Sequence, residues 1–366
     1  MIKLIKNEIY KILHKKSTYI IMIITALFMV LVSYVYSKDN NFYNNPYYPA
    51  EGDVIDKKIA QDMNSYYEKY DRSTWQYYKL DEYYSIAYNY YNAVENGEDS
   101  SILKKEYDDF KNALEQDNWK FFVTRDLNEA TEELKKFEAN KNVVKDREKN
   151  EIENQIFATK VKIELLEYRL KENVAYGEDY LNEAINVVEN TAYSVSAYEK
   201  AKIDKKSEYE EAVKNYYENR YILETKEDTN NANDLRCIIM NFFQEYMFMI
   251  IVFGVMVAGA IVSDEYNKGT IKSLLITPYK RSTILLSKFI TSILLTIIFI
   301  VFAYLMQIVI GGLFLGFDSL KNHVVVYNLA TKSLEIMSLL KYVVIITICY
   351  LPQILPVSYT HLRAHE

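Results

Sequence analysis

Three stretches of this chain carry no charged side chain: Ser17–Ser37, Tyr246–Val262 and Phe289–Phe317. About 20 apolar residues in a helix, each rising ~1.5 Å, cross a ~30 Å hydrocarbon core. Each stretch therefore reads as a membrane helix. A fourth apolar run starts at Tyr342 and reaches Pro356. The expected fold class is an all-α, polytopic membrane protein with an additional helical, coiled-coil segment outside the membrane. The expected spans are 17–37, 238–263, 282–315 and the start of a fourth at 342–356. In the second span, Gly254 and Ala258 form a small-xxx-small pair suited to close helix packing.

Charge separates the chain into frame and insertion. Between Ser37 and Leu235 there are 43 acidic and 28 basic residues, and the remainder is net basic. An acidic middle inside a basic, apolar frame fits a membrane protein with one large external segment. Residues 38–235 are expected to be extracytoplasmic. The first span could instead be a cleaved signal peptide. Its apolar core is too long for that, and no small-x-small cleavage site is clear near Tyr34–Ser37. Cys237 and Cys349 have no partner at metal-ligand or redox spacing. Heavy use of Lys, Asn, Ile and Tyr suggests an AT-rich genome, and hence the cell membrane of a low-GC Gram-positive bacterium.

The stretch Ser263–Lys288 lies between the second and third spans, and it is basic. Basic residues in short loops mark the cytoplasmic side. Its pattern is Asp264-Glu265, Gly269-Thr270, Lys272, Leu274-Leu275, Pro278, Arg281 and Lys288. Gly269 permits a tight backbone approach. Ile271, Leu274 and Leu275 put an apolar stripe on a short helix, and Pro278 stops it. A generic basic loop that only sets topology is the plainer reading. The order of residues, together with both flanking spans, resembles the membrane subunits of ATP-binding-cassette (ABC) exporters of the type-2 permease family. The likeness is close over this loop and looser elsewhere. It implies that the loop, over 264–281 with Lys288 beyond it, is where the permease meets a separate ATPase. It also implies about six spans in the whole protein, and a second permease subunit, identical or a sister chain.

Residues 1–16 read as a cytoplasmic basic amphipathic helix lying in the lipid interface, with Ile2, Ile5, Ile9, Ile12 and Leu13 on its main apolar face. The blander alternative is a plain basic flank that sets topology. No proline occurs between Pro49 and Pro278, and glycine is sparse. That predicts long helices at Ile55–Asn96, Ser100–Phe122, Asp126–Ala175 and Glu178–Lys226. Ile152, Ile156, Thr159, Ile163, Leu166 and Leu170 form a heptad seam for an antiparallel or dimeric coiled coil. A 50-residue helix would reach about 75 Å. Ten tyrosines crowd the stretch from Tyr66 to Tyr91. They read either as an adhesive surface or, preferably, as core filler in a leucine-poor bundle. Residues 316–341 are expected to be an outer loop with a short amphipathic piece.

Several functions are excluded or disfavoured. There is no G-x-x-x-x-G-K-[ST] loop for ATP, no credible Ser/His/Asp or Cys/His set, and no metal-loop pattern. The chain is read as no enzyme. It binds no cofactor itself, and ATP is used by a partner subunit. An acidic external segment speaks against nucleic acid as a partner. Membrane lipid is the remaining partner. Gln244 and Glu245, near one end of the second span, could line a substrate path or sit in the headgroup layer. Two functions compete. One is an ABC exporter permease. The other is a surface receptor or scaffold, since the chain also resembles the phage-infection-protein group. The last ten residues, VSYTHLRAHE, resemble translated library adapter. Val357–Glu366 is therefore expected to be a non-native tail on a truncated frame.

Overall fold

The computed structural model describes residues 1–38, 54–144, 146–229, 231, 233–267 and 281–364. It divides into two compact units: a span unit of Met1–Asn40, Thr229–Val324 and Ile336–Glu366, and a helical unit of Asn41–Asp228 and Val325–Glu335.

The helical unit contains α3 (Val54–Lys69), α4 (Leu80–Glu95), α5 (Ser101–Glu115), α6 (Trp119–Lys141), α7 (Asp146–Glu172), α8 (Tyr180–Lys200) and α9 (Glu210–Thr225). The four long helices expected from the sequence are thus broken into shorter ones. Two of the breaks, after α3 and after α5, carry side-chain bonds and need no glycine or proline. After α3, the Asp71 carboxylate accepts from the Ser73 N–H at 2.8 Å, and the Thr74 hydroxyl donates to the Asp71 carbonyl at 2.7 Å. Such local bonds compete with the helix ladder. After α5, Asp117 adopts φ 56°. Asp tolerates this left-handed region better than most residues. Its carboxylate accepts from the Trp75 indole at 2.6 Å and the Gln76 amide at 2.9 Å. The two breaks therefore support one another.

Two cores follow. The first joins α3, α4, α5 and the start of α6 around Tyr83, Phe110, Leu114 and Phe122, all essentially inaccessible. Tyr66, Tyr67, Tyr70 and Tyr83 are buried in it, so for these residues the core-filling reading holds. Their hydroxyls stay satisfied: Tyr83 donates to Asp62 at 3.0 Å, and Tyr66 to Glu115 at 3.3 Å. Buried tyrosine ordinarily finds such a partner. The second core lies among α7, α8 and α9, around Val161, Leu165, Val188, Val195, Val213 and Ile222.

The expected 50-residue rod over 126–175 is instead the antiparallel pair α6 and α7. The ion pairs Lys141–Glu153 and Lys160–Glu138, both 2.9 Å, fix its register. Ile163, Leu166 and Leu170 of the heptad seam do pack toward α6, with Val123, Leu127 and Ala130. Val161 and Leu165 form a second buried stripe facing α8 and α9. A helix buried on two sides is a bundle member, which the single seam did not reveal.

Residues 316–341 hold a β-hairpin, β1 (Val324–Asn328) and β2 (Ser333–Met337), in place of the expected amphipathic piece. Its turn rests on the Asn328 side chain, which accepts from the Ala330 N–H at 2.9 Å and the Thr331 N–H at 3.3 Å. The β-branched and aromatic run Val-Val-Val-Tyr suits a strand. Tyr327 stacks on Tyr217 at 4.3 Å between centroids. Lys332 pairs with Glu199 at 3.0 Å.

Glu218 accepts from the Tyr327 N–H at 2.8 Å. Burial nonetheless pushes its carboxyl above the ordinary value of 4.5; the Tyr327 N–H and Lys214 oppose this only in part. A carboxyl with a raised folded pKa binds protons more readily folded than unfolded. Its contribution to stability is full below about pH 4.5 and is lost as pH rises through the folded value. Glu218→Gln keeps the acceptor for Tyr327 and removes the charge. The variant is expected to melt higher at pH 7 than the parent, and equally at pH 4. Thermal melts at both values check this.

The span unit comprises α1 (Ile2–Leu13), α2 (Lys16–Ser37), α10 (Leu235–Met240), α11 (Phe242–Asn267), α12 (Arg281–Leu315) and α13 (Leu339–Ala364). The expected second span is split: Asp234 caps α10 by accepting from the Cys237 N–H at 2.6 Å, and α11 restarts after Asn241. Phe253 stacks on Phe299 at 4.0 Å, and Phe243 on Tyr350 at 4.4 Å, which packs α11 against α12 and α13. Gly316, at φ 79°, ends α12, as glycine does where a helix must turn left-handed.

Candidate functional site

Among the described residues, three helices are long and apolar enough to cross a membrane: Lys16–Ser37, Phe242–Ile261 and Ser282–Leu315; Leu339–Gln353 is a shorter apolar helix. Their outward faces are apolar. Along α12, Leu294, Ile298, Val301, Leu305, Val309 and Leu313 are exposed at helical spacing, and α2 exposes Ile20, Ile23, Ile24, Leu27 and Leu31. Contiguous apolar surface of this extent suits contact with lipid.

At one level of the cluster stand the start of α2, the end of α11 and the start of α12. Here α1 packs against α12 and α11. The buried face of α1 is Glu8 and Ile12, with Ile5 and Ile9 half-buried, whereas Ile2 and Leu13 remain exposed. Glu8 departs from the apolar face read in the sequence; Lys11 neutralises it at 2.8 Å. The Thr18 hydroxyl donates to the Ile12 carbonyl at 2.7 Å, pinning α1 to α2.

Asp264 and Glu265 fall on the last turns of α11, and Arg281 opens α12. Lys288 is buried one to two turns into α12, its ammonium 3.5 Å from the Ile261 carbonyl of α11. Gly269, Thr270, Lys272, Leu274, Leu275 and Pro278 lie outside the described residues. The structure thus brings Lys288 to α11.

At the other level stand Ser37, Phe242 and Leu315. Glu245 is half-buried and accepts from the Tyr36 hydroxyl at 3.1 Å, joining α11 to α2. Gln244 is exposed, so the two residues read together from the sequence point to different surroundings. Nearby is a polar group that the sequence reading did not single out. Gln307, fully buried on α12, accepts from the Tyr246 hydroxyl of α11 at 2.7 Å and donates to the Ser33 hydroxyl of α2 at 3.1 Å. The sequence signal was available: Gln307 is a lone amide in an otherwise apolar run, and such groups mark interhelical contacts. Arg236 is likewise buried; its guanidinium donates to the His323 carbonyl at 2.9 Å, and its Nε is 3.6 Å from Asp234. The bond to His323 ties α10 to the segment after α12.

An apolar groove of about 520 Å³ runs between α12 and α13, lined by Val301, Tyr304, Leu305, Val343, Val344 and Ile348 among others. Among the described residues there is no group of three or more His, Cys, Asp or Glu side chains placed to hold a metal ion.

An apolar-faced helical cluster, cross-tied by a few buried polar groups, defines a polytopic all-α membrane protein. Within that class the chain belongs to the family described as ABC-2 family transporter protein, whose profile matches residues 2–355. The chain is 37% identical over 65 residues to the uncharacterized protein YhcI of Bacillus subtilis (strain 168), covering 18% of this chain and 21% of that protein. The matched segment thus spans about a fifth of that relative's length. No solved structure matches.

Proposed function

We propose that this chain is the permease subunit of an ABC exporter. A separate ATPase subunit binds and hydrolyses ATP, and the permease pairs with a second copy or a sister chain. Residues 1–16 and the loop 264–281 face the cytoplasm, residues 38–235 lie outside, and 316–341 form an outer loop. Asp264, Glu265, Gly269, Thr270, Lys272, Leu274, Leu275, Pro278, Arg281 and Lys288 form the ATPase-facing element. Closure of the ATPase pushes this loop, and the push enters the spans through α11 and α12.

The observation that carries this reading is mechanical. The loop joins two long spans directly, and α1 packs on the same two helices at the same level. Lys288 reaches from α12 to the last full turns of α11. A force on the loop would therefore act on a packed three-helix body. Among the described residues, Glu245 is held by Tyr36, and that bond must be exchanged for Glu245 to meet a cationic substrate.

Topology tests the reading. In whole cells of a Cys237→Ser, Cys349→Ser background, a membrane-impermeant maleimide should label Lys105→Cys, on exposed α5. It should leave Lys272→Cys unlabelled until the cells are opened. The reverse pattern would refute the assignment of sides, and the docking of an ATPase on this loop with it.

A further inference from the structure

We infer that Gln307 is a positioning residue. It latches the ends of α2, α11 and α12 that lie at the Ser37 level, and α2 separates from its neighbours only when this latch opens. The latch is a property of the span unit alone. Its use in transport rests on the permease reading.

Three observations carry it. First, one side-chain amide serves three helices: its oxygen takes the Tyr246 O–H and its nitrogen gives to the Ser33 hydroxyl. All three side chains are fully buried. In hydrocarbon an amide without partners is costly, so separating the helices requires the partners to be lost together or replaced by water. Second, the backbone makes room for this amide. A Cβ on Gly311 would lie 2.8 Å from Gln307 Nε2 and 2.5 Å from Leu235 Cδ1. Glycine one turn beyond Gln307 is thus a requirement of the same junction, and it brings α10 into it.

Third, the ties from α2 are unevenly placed. Ser33 and Tyr36, near its end, bond Gln307 and Glu245. In the middle of the cluster, the hydroxyls of Thr25, Thr291 and Thr296 donate to carbonyls of their own helices. Among the described residues, those hydroxyls make no bond to another helix. The polar bonds that join α2 to α11 and α12 are therefore concentrated at one level, where a small number of broken bonds has a large effect on separation. In the proposed orientation that level is the outer mouth of the spans.

The test uses full-length protein in lipid nanodiscs, with Cys237 and Cys349 replaced by Ser. Ala303→Cys is the reporter. It is fully buried and shares a helical face with Gln307 one turn away. A small, water-borne methanethiosulfonate reagent reads how often this face opens. Each lost interhelical bond should raise the reaction rate about threefold, from the average strength of such bonds in membranes. Tyr246→Phe removes one hydroxyl and no volume, and should give about threefold. Gln307→Leu removes both bonds and should give about tenfold. The double variant should react no faster than Gln307→Leu alone, because Tyr246 acts through Gln307.

Unchanged rates in Tyr246→Phe and Gln307→Leu, with both proteins monodisperse and melting within a few degrees of the parent, would overturn the latch. So would a double variant whose effects multiply. Should Gln307→Leu fail to fold, Tyr246→Phe with Ser33→Ala decides the question on the same readout. A failure of the permease reading looks different: the variants would behave as expected, but ATP with the co-purified ATPase would leave the parent's labelling rate unchanged.

Discussion

A chain carrying Glu265→Ala with Gly269→Leu is expected to lose its ATPase partner and keep its fold. Glu265 lies on the last turns of α11, directly before the loop. Gly269 lies outside the described residues; having no Cβ, it is expected to let a partner's backbone come close, and a leucine there would prevent this. Anchoring side chains in protein interfaces are each worth about 2 kcal/mol or more. Two such losses weaken association by roughly 100- to 1,000-fold. Nucleotide-hydrolysing activity that travels with the purified parent should be absent from the variant. The helical unit contains neither residue, so its melting should not change. Activity retained at parental level would remove the coupling role from this loop.

The second large effect is on stability. Phe122→Ala should destabilise the helical unit by about 3–5 kcal/mol, the usual range for a buried aromatic replaced by alanine. Phe122 is fully buried. Its ring lies 4.5 Å from Phe110, 5.2 Å from Phe121 and 5.5 Å from Trp75. The cavity would open where the two mutually supporting breaks meet, since Trp75 also holds Asp117. In a unit of this size the melting midpoint should fall by about 10 °C. A fall of less than about 3 °C would mean that the site collapses and refills, and that the aromatic core is less specific than its geometry implies. Exposed Ile102→Ala, on α5, is the control and should leave the midpoint within about 1 °C.

The spans were legible in the sequence because hydrocarbon imposes a single rule over a long stretch. Any run as long and uncharged as Phe289–Phe317 satisfies it, and α12 covers that run up to Leu315. The loop pattern was legible because its residues are adjacent in the chain. The family of the chain agrees with that reading. The core role of Tyr66 and Tyr83 was accessible from composition, in a segment with few other large apolar groups.

What the tertiary structure alone decided depends on partners distant in sequence. The break at Asp71 rests on a local bond from Ser73, but it is joined to the break at Asp117 by Trp75 and Gln76, which donate to the Asp117 carboxylate across some forty residues. Nothing at positions 71 or 117 by themselves forbids a helix. Tyr327 enters a strand that packs on Tyr217, and Glu218 meets its N–H, across more than a hundred residues. Gln307 became meaningful only once Ser33 and Tyr246 stood beside it. Local sequence determines which segments can leave water, because that depends on each segment's own surface. Which polar groups then find one another is settled by packing, because each must be satisfied by whatever the fold brings within about 3 Å.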